Sequence, residues 1–234
     1  MAVVTISRMF GSGGSEVAEI LARRLQWALL DNAFVERVAV GLQVTPAQVQ
    51  AIEERRPSLA ERIADAFAYS SQEMLSAPLG APLPPTEDRL LEATHRVIDE
   101  AVARGPVVLV GRGAQAWIGI REDALHFLCV STRESSMARV MAREGITAEE
   151  AAQRVDETNK QRQEYVNRSW NREWLAPKNY HACVNTAWLG IDGSATVLES
   201  IVRAHFSVPP TPPTPPTPPT PPTPPTPPAP PDAA

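Results

Sequence analysis

Residues 3–16 read VVTISRMFGSGGSE, a short β-branched apolar run passing through a glycine-rich loop into an amphipathic stretch. Residues 3–6 have the length and composition of a central parallel strand. Gly11, Gly13 and Gly14 let the backbone turn sharply and approach a ligand with no Cβ in the way. Val17, Ile20, Leu21 and Leu25 then recur on one helical face. The first turn of that helix would aim free N–H groups and a positive dipole end at an anion. Strand, loop and helix in this order predict a phosphate-binding turn, although an ordinary tight strand-to-helix turn would use the same glycines.

The complete phosphate-loop signature is G-x-x-x-x-G-K-[ST]. Gly13 takes its second glycine, Gly14 the lysine position and Ser15 the hydroxyl that holds magnesium, while Arg8 stands at the first glycine. The lysine that reaches the β- and γ-phosphates is therefore missing. Arg8 begins the same loop and is the cation available to compensate. A dinucleotide-binding G-x-G-x-x-G fits worse, because it would need a glycine at Glu16.

Composition bounds the partners. The chain has 234 residues, 43% hydrophobic and 21% charged, with a net charge of −5. Residues 1–206 suffice for one domain with a sizeable core. The acidic balance predicts no nucleic-acid partner, so an anion site would have to be a local cluster of arginines. Cys129 and Cys183 lie inside apolar runs, which predicts reduced, buried thiols. The chain enters a strand pattern directly and has no apolar run of membrane-spanning length. Both features predict a protein with no signal peptide, no membrane partner and a cytoplasmic location. Self-association stays open.

Further along, apolar runs alternate with amphipathic helices, the pattern of a parallel sheet covered on both faces. The expected strands are 3–6, 27–30, 107–110, 125–130 and 182–185. Helices are expected through Phe34, Val35, Val38 and Leu42, after Thr45-Pro46, and from the capping box Ser58-x-x-Glu61 to about Met74. A proline-rich loop follows over 77–85. Because they break the strand–helix rhythm, residues of about 43–85 are read as a substrate-covering helical insertion. A long helix over 86–104 and a closing helix over 194–206 complete the core. Thr147-x-x-Glu150 opens a charged helix carrying Arg154, Lys160, Arg162 and Tyr165, within a lid of about 145–176. The fold expected is a three-layer α/β/α sandwich around a five-stranded parallel sheet.

Arginines carry the chemistry, because phosphoryl transfer rests on positioning and on neutralising charge over phosphate oxygens. Arg112 follows the buried run 107–110 directly and is flanked by Gly111 and Gly113, which puts it at the carboxyl edge of the sheet, where α/β folds bind ligands. Arg37 lies shortly beyond Asp31, near the mouth of the second strand.

Several separated stretches together resemble the cytidylate kinase-like family, a divergent branch of the P-loop nucleoside monophosphate kinases. They are TISRMFGSGG at 5–14, LQWALLDNAFVER at 25–37, VGRGA at 110–114 and YHACVNTAWLG at 180–190. The resemblance covers residues 1–206. It implies a P-loop NTPase fold of adenylate-kinase type with a substrate-covering insertion and a lid. It further implies ATP and Mg2+ as cofactors and phosphorylation of a nucleoside monophosphate, CMP or dCMP. By that resemblance Gly11, Ser12, Gly13, Gly14 and Ser15 would cradle the ATP phosphates, with Ser15 near magnesium. Asp31, Asn32, Arg37 and Arg112 would hold the acceptor, and Lys160 and Arg162 would come from the lid onto the transferring group beside Arg8 and Arg112. Gly113 replaces an acidic residue of ordinary cytidylate kinases.

The end of the chain is different. From residue 211 to 228 the triplet Thr-Pro-Pro recurs six times. Proline fixes φ and removes a backbone donor, so residues 207–234 are expected to be polyproline II or disordered, as a spacer or a ligand for a partner's aromatic groove. The missing lysine and this tail together keep a second function open, that of a catalytically weak or inactive nucleotide-binding scaffold.

Overall fold

The computed structural model describes residues 2–31 and 87–207. Asn32, Arg37, the helices expected between 34 and 74, the 77–85 loop and the Thr-Pro-Pro tail lie outside the described residues.

Five strands form one parallel sheet: β1 Val3–Arg8, β2 Ala28–Leu30, β3 Val107–Val110, β4 Ala124–Val130 and β5 Ala182–Asn185. Their order is β2-β3-β1-β4-β5. The central strand β1 pairs on one side with β3 (Val3 with Val107, Ile6 with Val110) and on the other with β4, where Arg8 faces Cys129. All five segments expected from the apolar runs are strands, because a strand buried on both faces is written as a continuous hydrophobic run.

Alternation divides the sheet into two packed faces. Val4, Ile6, Val108, Val110, Phe127 and Val184 meet helix α1 (Gly14–Leu25) and helix α6 (Thr186–Phe206). Val3, Val107 and Leu109 meet helix α2 (Glu87–Arg104) and the short helix α3 (Ala114–Ile118). Sheet and two helical layers thus make the expected three-layer sandwich. Each fully buried Val, Ile or Phe contributes about 1.5–3 kcal/mol of transfer free energy.

Two further helices, α4 (Arg133–Glu144) and α5 (Ala148–Trp170), pack on each other through Val140, Ala151 and Val155, with Phe10 of the glycine loop against the same cluster. The α5 start is a full capping box: the Thr147 side chain accepts from the Glu150 N–H, and the Glu150 carboxylate accepts from the Thr147 N–H at 2.8 Å.

Three expectations change. Helix α4 was not foreseen, although Thr132 caps it and Gly145 ends it in the left-handed region. The last helix begins at Thr186 rather than Ser194, because Asn185 caps a short first turn before a break at Gly190. Of the two thiols only Cys129 is buried, while Cys183 is exposed on the edge strand β5, between Ala182 and Val184, which turn toward the core.

Candidate functional site

Because all strands are parallel, the ends of β1, β2 and β3 open on one edge, and the functional side chains gather there. A pocket of about 120 Å³ lies on this edge. Ser7, Arg8 and Arg112 line it from the sheet, and Thr158, Gln161, Arg162 and Tyr165 line it from α5. The last four are spaced i, i+3, i+4, i+7, so one stripe of α5 faces the sheet edge. Lys160 is exposed and is not among the lining residues. Two positions from Arg162, it projects from the opposite side of the helix.

Three arginines from three elements converge on the pocket. Arg8 ends β1, and its Nη2 lies 3.6 Å from Asp31 Oδ1 at the end of β2. Its side chain is only 19% exposed. Burial pulls its pKa down, opposed by the Asp31 charge. Arg112 has its pKa drawn down to about 10, by burial first and by the neighbouring Arg8 charge second. It remains charged at neutral pH, but two like charges held this close favour an anion between them. Arg162 comes down from α5, and its Nη1 donates to the Arg8 carbonyl at 2.7 Å.

Local backbone geometry explains the glycines around Arg112. Gly111, Arg112 and Gly113 all have positive φ, at 73°, 56° and 67°. The left-handed region costs a non-glycine residue about 1–2 kcal/mol. Only Arg112 incurs that cost here, as expected where a site holds its backbone in a strained form. A Cβ on Gly113 would lie 2.0 Å from the Trp170 ring, so any side chain at this position would have to displace the ring. Trp170 and Trp174 are packing residues, the first against Gly113 and edge-on to Tyr165, the second buried at the pocket wall.

The glycine loop sits next to this pocket. Gly13 is the left-handed N-cap of α1 and supplies no side-chain acceptor, and the Ser12 hydroxyl is buried with no hydrogen-bond partner among the described residues. Uncapped first-turn N–H groups and a buried hydroxyl fit phosphate oxygens. The loop is braced from several sides. The Phe10 N–H donates to Asn159 Oδ1 of α5 at 2.8 Å, and the Thr186 hydroxyl donates to the Ser12 carbonyl at 2.6 Å. Ser15 is half-buried in the first turn of α1. Among the described residues no group of three or more His, Cys, Asp or Glu side chains could hold a metal ion.

Arg139 was missed in the sequence. It lies on α4, ion-paired with Glu16 of α1, and its Nη2 is 3.0 Å from where a Cβ on Gly13 would be. Nothing local marks it, because its distance from the loop is set by how α4 folds back. Tyr180, which opens the 180–190 motif, is half-buried: burial pushes its phenol up to about 12, and its hydroxyl donates to the Trp174 carbonyl at 2.6 Å, fixing the return from α5 to β5.

The cytidylate kinase-like family model matches residues 3–187. The chain belongs to the cytidylate kinase-like family. That membership supports a nucleotide-kinase type of function. Among solved structures, an uncharacterized protein from Eubacterium ventriosum is similar at 17% identity and a TM-score of 0.61, over 87% of this chain and 99% of that one. A Thermus thermophilus protein matches at 19% identity and a TM-score of 0.49, over 87% and 97% of the two chains. A shikimate kinase from Bacteroides thetaiotaomicron matches at 12% identity and a TM-score of 0.46, over 86% and 98%. The first of these likenesses supports the fold alone. No curated protein matches the sequence. No described helix is long and apolar enough to cross a membrane.

Proposed function

We propose that this protein transfers a phosphoryl group from ATP to a nucleoside monophosphate, with CMP or dCMP as acceptor. The observation that carries the reading is the convergence of Arg8, Arg112 and Arg162 on one pocket beside the uncapped start of α1. Three guanidinium groups at a sheet edge suit a phosphate acceptor, since each presents planar paired donors to oxygen. The arrangement needs no protein nucleophile, because the acceptor phosphate itself attacks in line.

In this reading Gly11, Ser12, Gly13, Gly14 and Ser15 hold the donor phosphates, with Arg139 at the outer side of the loop. Magnesium, when bound, neutralises phosphate charge; Ser15 is the side chain offered to it. Arg112 grips the acceptor phosphate, with Asp31, Asn32 and Arg37 completing its site, and Arg8 stands at the transferring group on the donor side. Residues 145–176 act as the lid through Arg162. Lys160 projects away from the pocket in this arrangement and contributes least.

Coupled ADP release measures the activity with CMP, dCMP, UMP and AMP offered in turn. Turnover fastest with CMP or dCMP is expected. Cooperatively melting protein that turns over none of the four, yet binds ATP or CMP by calorimetry, would move the reading to the nucleotide-binding scaffold. In that case deletion of residues 208–234 should abolish a partner interaction.

A further inference from the structure

The two departures from the phosphate-loop signature, an arginine at its first glycine and a glycine at its lysine, meet in space. The Arg8 side chain leaves β1 toward the first turn of α1, so a Cβ on Gly14 would lie 2.5 Å from Arg8 Cβ and 3.1 Å from Arg8 Cγ. Real Cβ atoms do not approach that closely, and here the obstacle is the root of the arginine rather than its flexible end. On the other side, the same Cβ would be 3.0 Å from Cys129 Cβ on β4. Position 14 is therefore boxed between Arg8 and β4. A side chain of any length there would have to displace Arg8.

Arg8 then runs on to the end of β3. A Cβ on Gly111 would fall 1.7 Å from Arg8 Nη1 and 2.9 Å from its Cζ. Gly111 thus provides the space for the guanidinium, as Gly14 provides the space for the stem. At 3.6 Å from Asp31 the guanidinium is close enough for attraction but beyond good hydrogen-bond length, so a phosphate can compete for it.

We propose that Arg8 and Gly14 are one coupled exchange: the lysine of the loop has been replaced by an arginine that enters the same corner from the strand. Gly14 and Gly111 are glycines because that arginine needs their Cβ volumes. The proposal rests on the kinase reading for what the cation binds, but its spatial part stands on the geometry alone. It makes an unusual demand. Arg8→Gly with Gly14→Lys converts residues 8–15 into G-x-x-x-x-G-K-S, the complete signature, so two individually harmful changes should compensate each other.

The experiment measures ADP binding by calorimetry and thermal midpoint for the full chain and five variants. Arg8→Gly should weaken ADP binding at least about tenfold, the scale of one lost charged hydrogen bond. Gly14→Lys alone should lower both affinity and midpoint, since two stems cannot share the corner. The double variant should bind ADP more tightly than either single and melt above Gly14→Lys. A double variant no better than the worse single in both respects overturns the exchange, as does Arg8→Gly binding ADP like the parent. Gly14→Ala decides the spatial part separately from binding. It should lower the midpoint by several degrees in the parent and by clearly less beside Arg8→Gly, which removes the Cβ and Cγ that the new methyl would meet; equal losses in both backgrounds overturn the proposal. A parent that binds no ADP removes the kinase reading, and the same midpoint comparison then judges the spatial exchange by itself.

Discussion

Two glycine-rich turns leave this sheet on the same edge, and they use their glycines differently. In the loop after β1, Gly11 and Gly13 give their Cβ volumes to helices, the Ser136 carbonyl of α4 at 2.7 Å from Gly11 and Ile191 of α6 at 2.3 Å from Gly13, and Gly14 alone gives its space to Arg8. The turn after β3 is filled by side chains alone, the Arg8 guanidinium over Gly111 and the Trp170 ring over Gly113. The first set of glycines lets neighbouring helices close around the start of α1. The second makes room for the Arg8 guanidinium and for the Trp170 ring on either side of Arg112. A glycine-rich turn in a sequence therefore signals close approach, while the approaching group, which decides the chemistry, comes from elsewhere in the chain.

The largest expected effect separates function from folding at the second turn. Arg112→Ala should lower turnover about a hundredfold or more, the scale for losing one charge-stabilising donor. The apo protein should melt close to the parent, because removing a buried cation held beside the Arg8 charge offsets the lost packing, while the left-handed backbone cost stays the same in alanine. A marked fall in melting temperature with little loss of turnover would make Arg112 a structural residue.

The next contrast lies within glycine. Gly113→Ala meets a rigid ring and a left-handed φ, and should cost about 3 kcal/mol in denaturant unfolding. Gly145→Ala has a similar φ of 68° but nothing within 4 Å, and should cost only about 1 kcal/mol. Equal losses would mean that backbone strain alone, rather than close approach, governs these turns.

A smaller effect tests the floor of the loop. Burial raises the Cys129 thiol to about 12, whereas unfolding returns it to its ordinary value. The folded state then holds a proton the unfolded state gives up, so stability should fall as pH rises from about 9 toward 12. Cys129→Ala should flatten that part of the curve, read from midpoints of thermal melts. A neutral-pH alkylating agent should modify exposed Cys183 in the native protein and leave Cys129 untouched. The smallest effect belongs to the Glu16–Arg139 pair. Glu16→Gln should change stability by less than about 1 kcal/mol, because both partners are well exposed.

Most of the architecture was legible because it is written locally. Five apolar runs became five strands, and Thr147 with Glu150 became a capping box. Helix α4 was equally available, with Thr132 in front, Met137, Val140 and Met141 at helical spacing, and Gly145 behind. The site was legible in part. Arg8, Arg112 and Arg162 could be singled out from strand ends and family motifs, and they do converge. Lys160 and Arg162 were both drawn from one charged run, and the packing of α5 put Arg162 in the pocket lining and left Lys160 exposed.

By itself the sequence determined the parallel α/β core, the family and the absence of a loop lysine, because apolar period, glycine spacing and residue identity are properties of short stretches. Tertiary structure alone decided where the Arg8 guanidinium lies. The path of Arg8 over Gly14 and Gly111 joins residues from β1, α1 and the end of β3, and the approach of Arg139 to Gly13 joins α4 to the loop. Distances between separate elements are set by packing the whole core, and no window of sequence contains them.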